Sequence, residues 1–226
     1  MEKYKMIGIL SALEVESDII LKKMIEKEVS VIAGMTFTKG RLSERDVVLA
    51  TCGVSKVNAA LFTQIMIDNF RPDCILFTGV AGSMDPSIKQ MDLVVAEKLT
   101  FYDVSPHQLE FCFPNQIWFR TDEELTELVR SNAKESLFGA IITGDQFITS
   151  RERKKQLKKQ FPEALAVEME GCAVAHTCFV NSVPFAIIRC ISDLADSEAE
   201  NSYDAFEKKA AEKSARIILK TISKMK

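Results

Sequence analysis

Four acids and one arginine stand out in this chain: the acids fall at or just past the ends of apolar runs, and the arginine lies inside one. At 165–171 (LAVEMEG) the pair Ala166-Val167 yields to Glu168, Met169 and Glu170, immediately before Gly171. At 185–193 (FAIIRCISD) a second apolar run carries Arg189 and delivers Ser192 and Asp193 to its C-terminal end. These runs read as two strands separated by a helix of small residues, Gly171 to Asn181. Ligands of open α/β sheets bind at the carboxyl ends of strands, so acids and a cation gathered there form a candidate site. Glu16 lies in the first turn of a helix after the first strand, where a carboxylate also gains from the helix dipole; exposed acids are common at such positions.

The elements that must position these residues can be read in order. Met6 to Leu10 is a buried first strand, and Ser11-Ala-Leu-Glu14 fits a capping box that opens the next helix. Val29 to Ala33, Thr36 to Leu42 and Val47 to Cys52 read as strands, and Val57 to Phe70 as a helix. Cys74 to Phe77 is a buried strand ending in TGVAG (78–82), where Ala81 and Gly82 sit in a turn whose backbone can approach a ligand. Its two glycines do not make a dinucleotide fingerprint. Asp92 to Ala96 is a strand, 98–119 an aromatic-rich loop with two prolines, and Thr121 to Glu124 a second capping box for a helix reaching Ala133. A strand at Phe138 to Thr143 leads to Phe147 and Ile148; helices are expected at Ser150 to Gln160 and Tyr203 to Lys224. Strands alternating with helices give an α/β class with a mixed, largely parallel sheet and helices outside, in one domain spanning 1–226.

Composition narrows the function. A formal net charge of −3 and a pI near 5.6 argue against a nucleic-acid partner, and the basic run RERKKQLKK (151–159) reads as a solvated helix face. Six cysteines without a CxxC, and two histidines, offer no metal-ligand spacing; free thiols in a reducing cytoplasm are expected. MEKYKMIGIL is too poor in apolar residues for a signal peptide, and no later run approaches the ~20 residues of a membrane span.

Several separated segments share one known pattern: IGILSALEVE (7–16), TCGVSKVNAA (51–60), FTGVAGSMDPSIKQMDLVVA (77–96), TGDQFI (143–148), AVEMEGCAVAH (166–176) and RCISDLAD (189–196). Through them the chain resembles the bacterial 5'-methylthioadenosine/S-adenosylhomocysteine nucleosidases of the nucleoside phosphorylase superfamily. The resemblance implies a twisted sheet with a barrel-like core flanked by helices, a homodimer with the 98–119 loop near the partner's site, and hydrolysis of an adenine–ribose bond without metal or organic cofactor. It assigns Asp193 as the acid that protonates the purine, with Ser192 orienting its carboxyl, and Glu16 as the base that holds the attacking water. Glu170 would grip the ribose hydroxyls, kept charged by Arg189, with Met169 under the sugar and Glu168 beside it. Phe147 would stack on adenine, the Ile148 backbone would read its edge, and Tyr203 would flank the nucleoside.

Three departures bear on specificity. Val80 and Ser83 replace residues that many relatives carry as serine and glycine, and the 98–119 loop is shortened and reworded, which opens the 5'-substituent preference. The competing readings are a phosphate-dependent phosphorylase, which would need a cationic pocket that SALEVES lacks; a 6-amino-6-deoxyfutalosine hydrolase; and a non-enzymatic nucleoside-binding protein, for which an acid and a base have no use.

Overall fold

The computed structural model describes residues 3–225. Strand β1 (Met6–Ser11) is followed by helix α1 (Glu14–Lys23), and then by three strands, β2 (Ile25–Ile32), β3 (Met35–Leu42) and β4 (Arg45–Thr51). Helix α2 (Lys56–Phe70) returns the chain to β5 (Cys74–Ser83) and β6 (Leu93–Phe101). Then come α3 (Pro106–Phe111), β7 (Phe119–Arg120), α4 (Glu123–Asn132) and β8 (Leu137–Thr143). The remainder is α5 (Arg151–Gln160), β9 (Ala164–Glu168), α6 (Gly171–Val180), β10 (Phe185–Asp193) and α7 (Ala199–Ile222).

All ten strands join one sheet. Along its path the order is β10-β6-β8-β9-β5-β1-β4-β3-β2, and a further β10–β5 ladder closes the first five into a barrel. Parallel ladders run at β5–β1–β4, β5–β10 and β6–β8–β9, while β10–β6, β5–β9 and the β2–β3–β4 hairpins are antiparallel. The mixed α/β architecture with a barrel-like core is therefore present. Strands β5 and β10 are buried nearly throughout and are mostly apolar, as a sheet covered on both faces requires. One core layer packs Phe37, Phe77, Phe101 and Phe119 with the small residues of α6; the other packs Ile7, Ile9, Leu76 and Ile188 against α7.

Several boundaries differ from expectation. Ser11 ends β1 rather than capping α1; the cap position is Leu13, and Glu14 is already helical. The second cap also moves by one residue, since Asp122 accepts from the Leu125 amide at 2.8 Å. Strand β6 continues to Phe101, so the first residues of the presumed 98–119 loop are sheet, and α3 and β7 order more of it. Helix α7 begins at Ala199, four residues before Tyr203.

Candidate active site

The carboxyl ends of β1, β5, β9 and β10 converge on one cavity of about 350 Å³. Glu16, Glu170 and Asp193 all line it, together with Ala81, Gly82, Phe147, Ile148, Glu168, Met169, Ser192 and Tyr203. Its remaining walls are mostly apolar, from Leu13, Val54, Val80, Val167 and Ala195. A largely apolar pocket with a few convergent acids has the form of a small-molecule site.

Glu16 is buried, not an exposed first-turn acid. Its side chain reaches back over the end of β1, so that Oε2 accepts from the amides of Ala12 (2.8 Å) and Leu13 (2.9 Å), while Oε1 accepts from Val80 (2.9 Å). It thus does the capping that the sequence assigned to Ser11 and Glu14. Burial raises its pKa, opposed by Arg189 and then by these amides. Gly79 makes the approach possible, because a Cβ there would lie 2.6 Å from Glu16 Oε1 and would also overlap Arg189.

Asp193 reaches the cavity through an irregularity in β10. The β10–β5 register pairs Ile191 with Ala81 but Asp193 with Gly82, leaving Ser192 as the extra residue. Such a bulge re-aims the side chains beside it. Asp193 Oδ2 accepts from the Ser192 hydroxyl at 2.9 Å and Oδ1 from the Ala195 amide at 2.8 Å. Burial raises its pKa, and those two hydrogen bonds oppose the rise.

The third acid group differs from expectation. Arg189 does not line the cavity; it lies beneath it, 1% exposed, with its guanidinium carbon 4.0 Å from the Phe77 ring centroid. Its ion pair is with Glu168 (Nη2 to Oε2, 2.6 Å), not with Glu170. Glu168 also accepts from the Thr143 hydroxyl and from the amides of Glu170 (3.1 Å) and Gly171 (2.6 Å), so it secures the start of α6. Burial works against the Arg189 charge, but Glu168, Glu16 and Glu170 together outweigh it and raise its pKa. Glu170 accepts from the Ser55 amide at 3.0 Å, and burial followed by the neighbouring Glu168 charge pushes its pKa upward.

Phe147 is 42% exposed and meets Tyr203 edge to face, with centroids 5.6 Å apart. The Tyr203 hydroxyl donates to Glu207 at 2.6 Å, and Tyr102 donates to the Gln146 carbonyl at 3.0 Å, bracing the 144–148 segment. Sequence reasoning did not assign Leu13, Val54, Gln146 or Ala195 to the site. Each lies inside a segment quoted for the family resemblance, so membership in those segments was the available signal.

Comparison with known proteins bears on this geometry. The profile of the phosphorylase superfamily matches residues 6–223. The 5'-methylthioadenosine/S-adenosylhomocysteine nucleosidase of Staphylococcus aureus (strain JH9) is 35% identical, covering 97% of this chain and all of that protein. The nucleosidase of the same name from Neisseria meningitidis, solved with methylthio-immucillin-A, superposes with a TM-score of 0.92 at 32% identity, covering 97% and 99% of the two chains. The futalosine hydrolase of Helicobacter pylori strain 26695 superposes with a TM-score of 0.91 at 37% identity, covering 96% and 97%.

Proposed function

This chain belongs to the phosphorylase superfamily and, within it, to the 5'-methylthioadenosine/S-adenosylhomocysteine nucleosidases, and from that premise we propose how it works. It is an N-glycosyl hydrolase that releases adenine from 5'-thio-substituted adenosines. One observation carries the choice of water over phosphate: the described residues lining the cavity include four acids, Glu16, Glu168, Glu170 and Asp193, and no lysine or arginine. A phosphate dianion placed among buried carboxylates would meet repulsion without a compensating cation. Arg41, on β3, is not in the lining and pairs with Glu26 at 3.7 Å.

Adenine anion is a poor leaving group, so a proton must reach the purine as the bond to the sugar stretches. Asp193 is assigned this step, with its burial favouring the protonated acid that a donor needs. As C1'–N9 breaks, its electron pair enters the purine and the proton passes from Asp193 to N7. The sugar becomes oxocarbenium-like and takes up a water oxygen from the opposite face. Glu16 is assigned to hold that water and accept its proton. Three backbone amides occupy its carboxylate, two on Oε2 and one on Oε1, so Oε1 keeps an acceptor direction for water. One acid protonated and one ionised across the bond is the logic of an inverting glycosidase.

Glu170 is assigned to the ribose 2'- and 3'-hydroxyls and Met169 to the underside of the sugar. Phe147 and Tyr203 cover the base and the 5' side, and the Ile148 backbone reads the adenine edge. Glu168 and Arg189 act on these groups from below, by holding the β9–α6 turn that presents Glu170.

The decisive experiment is adenine release from methylthioadenosine, S-adenosylhomocysteine and 5'-deoxyadenosine, with and without phosphate. Free sugar at equal rates in both buffers supports the reading; sugar-1-phosphate, or silence on all three, ends it. A second reading, hydrolysis of 6-amino-6-deoxyfutalosine, is favoured by the 37% identity to the Helicobacter protein, and that nucleoside belongs in the same assay. The chain is further proposed to act as a single domain, in the cytoplasm, as a homodimer whose 98–119 segments, with Phe111 and Phe113 exposed, meet the partner. Among the described residues no helix is long and apolar enough to cross a membrane.

A further inference from the structure

Helix α5 reads in sequence as a solvated basic face, yet its cations are used against loops of the site. Lys158 bonds the Ala164 carbonyl at 2.8 Å and pairs with Asp85 at 3.2 Å, and Arg151 lies 3.8 Å from Asp196. Lys154 is half-buried and donates to the Leu194 carbonyl at 2.6 Å. Leu194 separates Asp193 from Ala195, the residue whose amide holds Asp193 Oδ1. Ala195 has φ +50, in the left-handed region that a side-chain-bearing residue keeps only where its surroundings enforce it. From one side Gly82 packs the turn so closely that a Cβ there would lie 2.8 Å from Asp193 Oδ1 and 3.1 Å from the Ala195 methyl. From the other side the Lys154 bond ties it down.

We propose that Lys154 is a positioning residue for the general acid: by fixing the Leu194 carbonyl it holds the 193–195 turn in the geometry that presents the Asp193 carboxyl to the purine. The proposal rests on Asp193 being the proton donor. The charged and titratable groups around that carboxyl are Lys154 from α5, Asp196 from its own turn with Arg151 beside it, and Tyr203 from α7. Asp85 with Lys158 stands behind Lys154. Among these, the Lys154 ammonium favours the ionised acid and Asp196 disfavours it. Removing Lys154 therefore both loosens the turn and moves the carboxyl's titration upward.

The test compares wild type with Lys154→Met, Lys154→Arg and Lys154→Gln. Adenine release by wild type is measured first, because its absence would remove the functional reading itself. Titration of the Asp193 carboxyl by carbon-13 NMR, assigned with Asp193→Asn, is readable whether or not the enzyme turns over. Lys154→Met is expected to lower kcat about tenfold or more, with KM changed less than about threefold, since no substrate contact is lost. The carboxyl midpoint should rise by roughly half a unit or more, and Lys154→Arg should restore most of both. A Met variant with wild-type kcat and an unmoved carboxyl overturns the proposal. So does loss of kcat in step with thermal stability in both Met and Arg variants, which would mark a purely structural lysine. If Lys154→Met does not fold, Lys154→Gln decides: a raised midpoint supports the role, and wild-type values in both readouts overturn it.

Discussion

Arg189 and Glu168 form an ion pair with 2.6 Å between Nη2 and Oε2 while both side chains are almost wholly removed from solvent. The pair is not a surface ornament, because each charge has given up its water and depends on the other. Glu170, two residues away, instead draws its hydrogen bond from the Ser55 amide at the start of α2. Glu168→Gln should thus destabilise the fold by about 3–5 kcal/mol, the cost of taking from a buried guanidinium its ion-pair partner. Denaturant unfolding measures it; a loss below about 1 kcal/mol would show that the pair is dispensable.

Activity should follow a bell in pH, rising as Glu16 ionises and falling as Asp193 loses its proton. The Ser192 hydroxyl lowers the Asp193 pKa by bonding the carboxylate. Ser192→Ala should therefore move the descending limb of the kcat profile to higher pH, by about half to one unit. A shift to lower pH would contradict the assignment of that limb.

Asp193→Asn keeps the shape of the acid and removes its proton. The expected loss in kcat is about 10²–10⁴-fold, the usual worth of a positioned general acid, with methylthioadenosine still bound. Near-wild-type hydrolysis by this variant would leave the proposed mechanism without its donor.

Stability of the ligand-free protein should decline as pH rises from mildly acid to mildly alkaline. Burial, and the Glu168 charge after it, raise Glu170 above the ordinary carboxylate value to about 8. The folded state therefore binds more protons than the unfolded state between about 4.5 and that value. The contribution is complete below the unfolded pKa and lost as pH passes the folded one. Glu170→Gln should flatten the fall in Tm across this window; an unchanged slope would refute the cause.

Gly79→Ala should cost both stability and activity, since the added methyl overlaps Glu16 Oε1 and the Arg189 guanidinium. Overpacking of this kind costs about 1–3 kcal/mol. Thermal unfolding and adenine release on the same sample measure the two effects; a variant unchanged in both would mean that Glu16 is free to move aside.

Much of this was legible in the chain because local chemistry announces itself. Apolar runs ending in acids marked β9 and β10, and the segments quoted for the family resemblance led to the right superfamily. What stayed hidden was the choice of partner. Ser11-x-x-Glu14 satisfies the pattern of a capping box as well as any sequence can, yet Ser11 is drawn into the β1–β4 ladder opposite Thr51, and the free amides of Ala12 and Leu13 go to Glu16. Arg189 is equally compatible, by sequence distance, with Glu168 or Glu170. Likewise α5 is basic all round in sequence, but only the packed fold brings Leu194, Asp85 and Asp196 within reach of its lysines and arginine.

The sequence by itself determined the class of fold, the existence of most strands and the set of acids, since those follow from apolar periodicity and residue type; where β5 and β6 end was not among them. Tertiary structure alone decided which carboxylate faces the cavity, which one is spent on Arg189, and how deeply each is buried. The reason is that hydrogen-bond partners and desolvation are properties of neighbours far apart along the chain. The closure of β10 onto β5 sets those neighbours, together with the bulge at Ser192 that aims Asp193 inward.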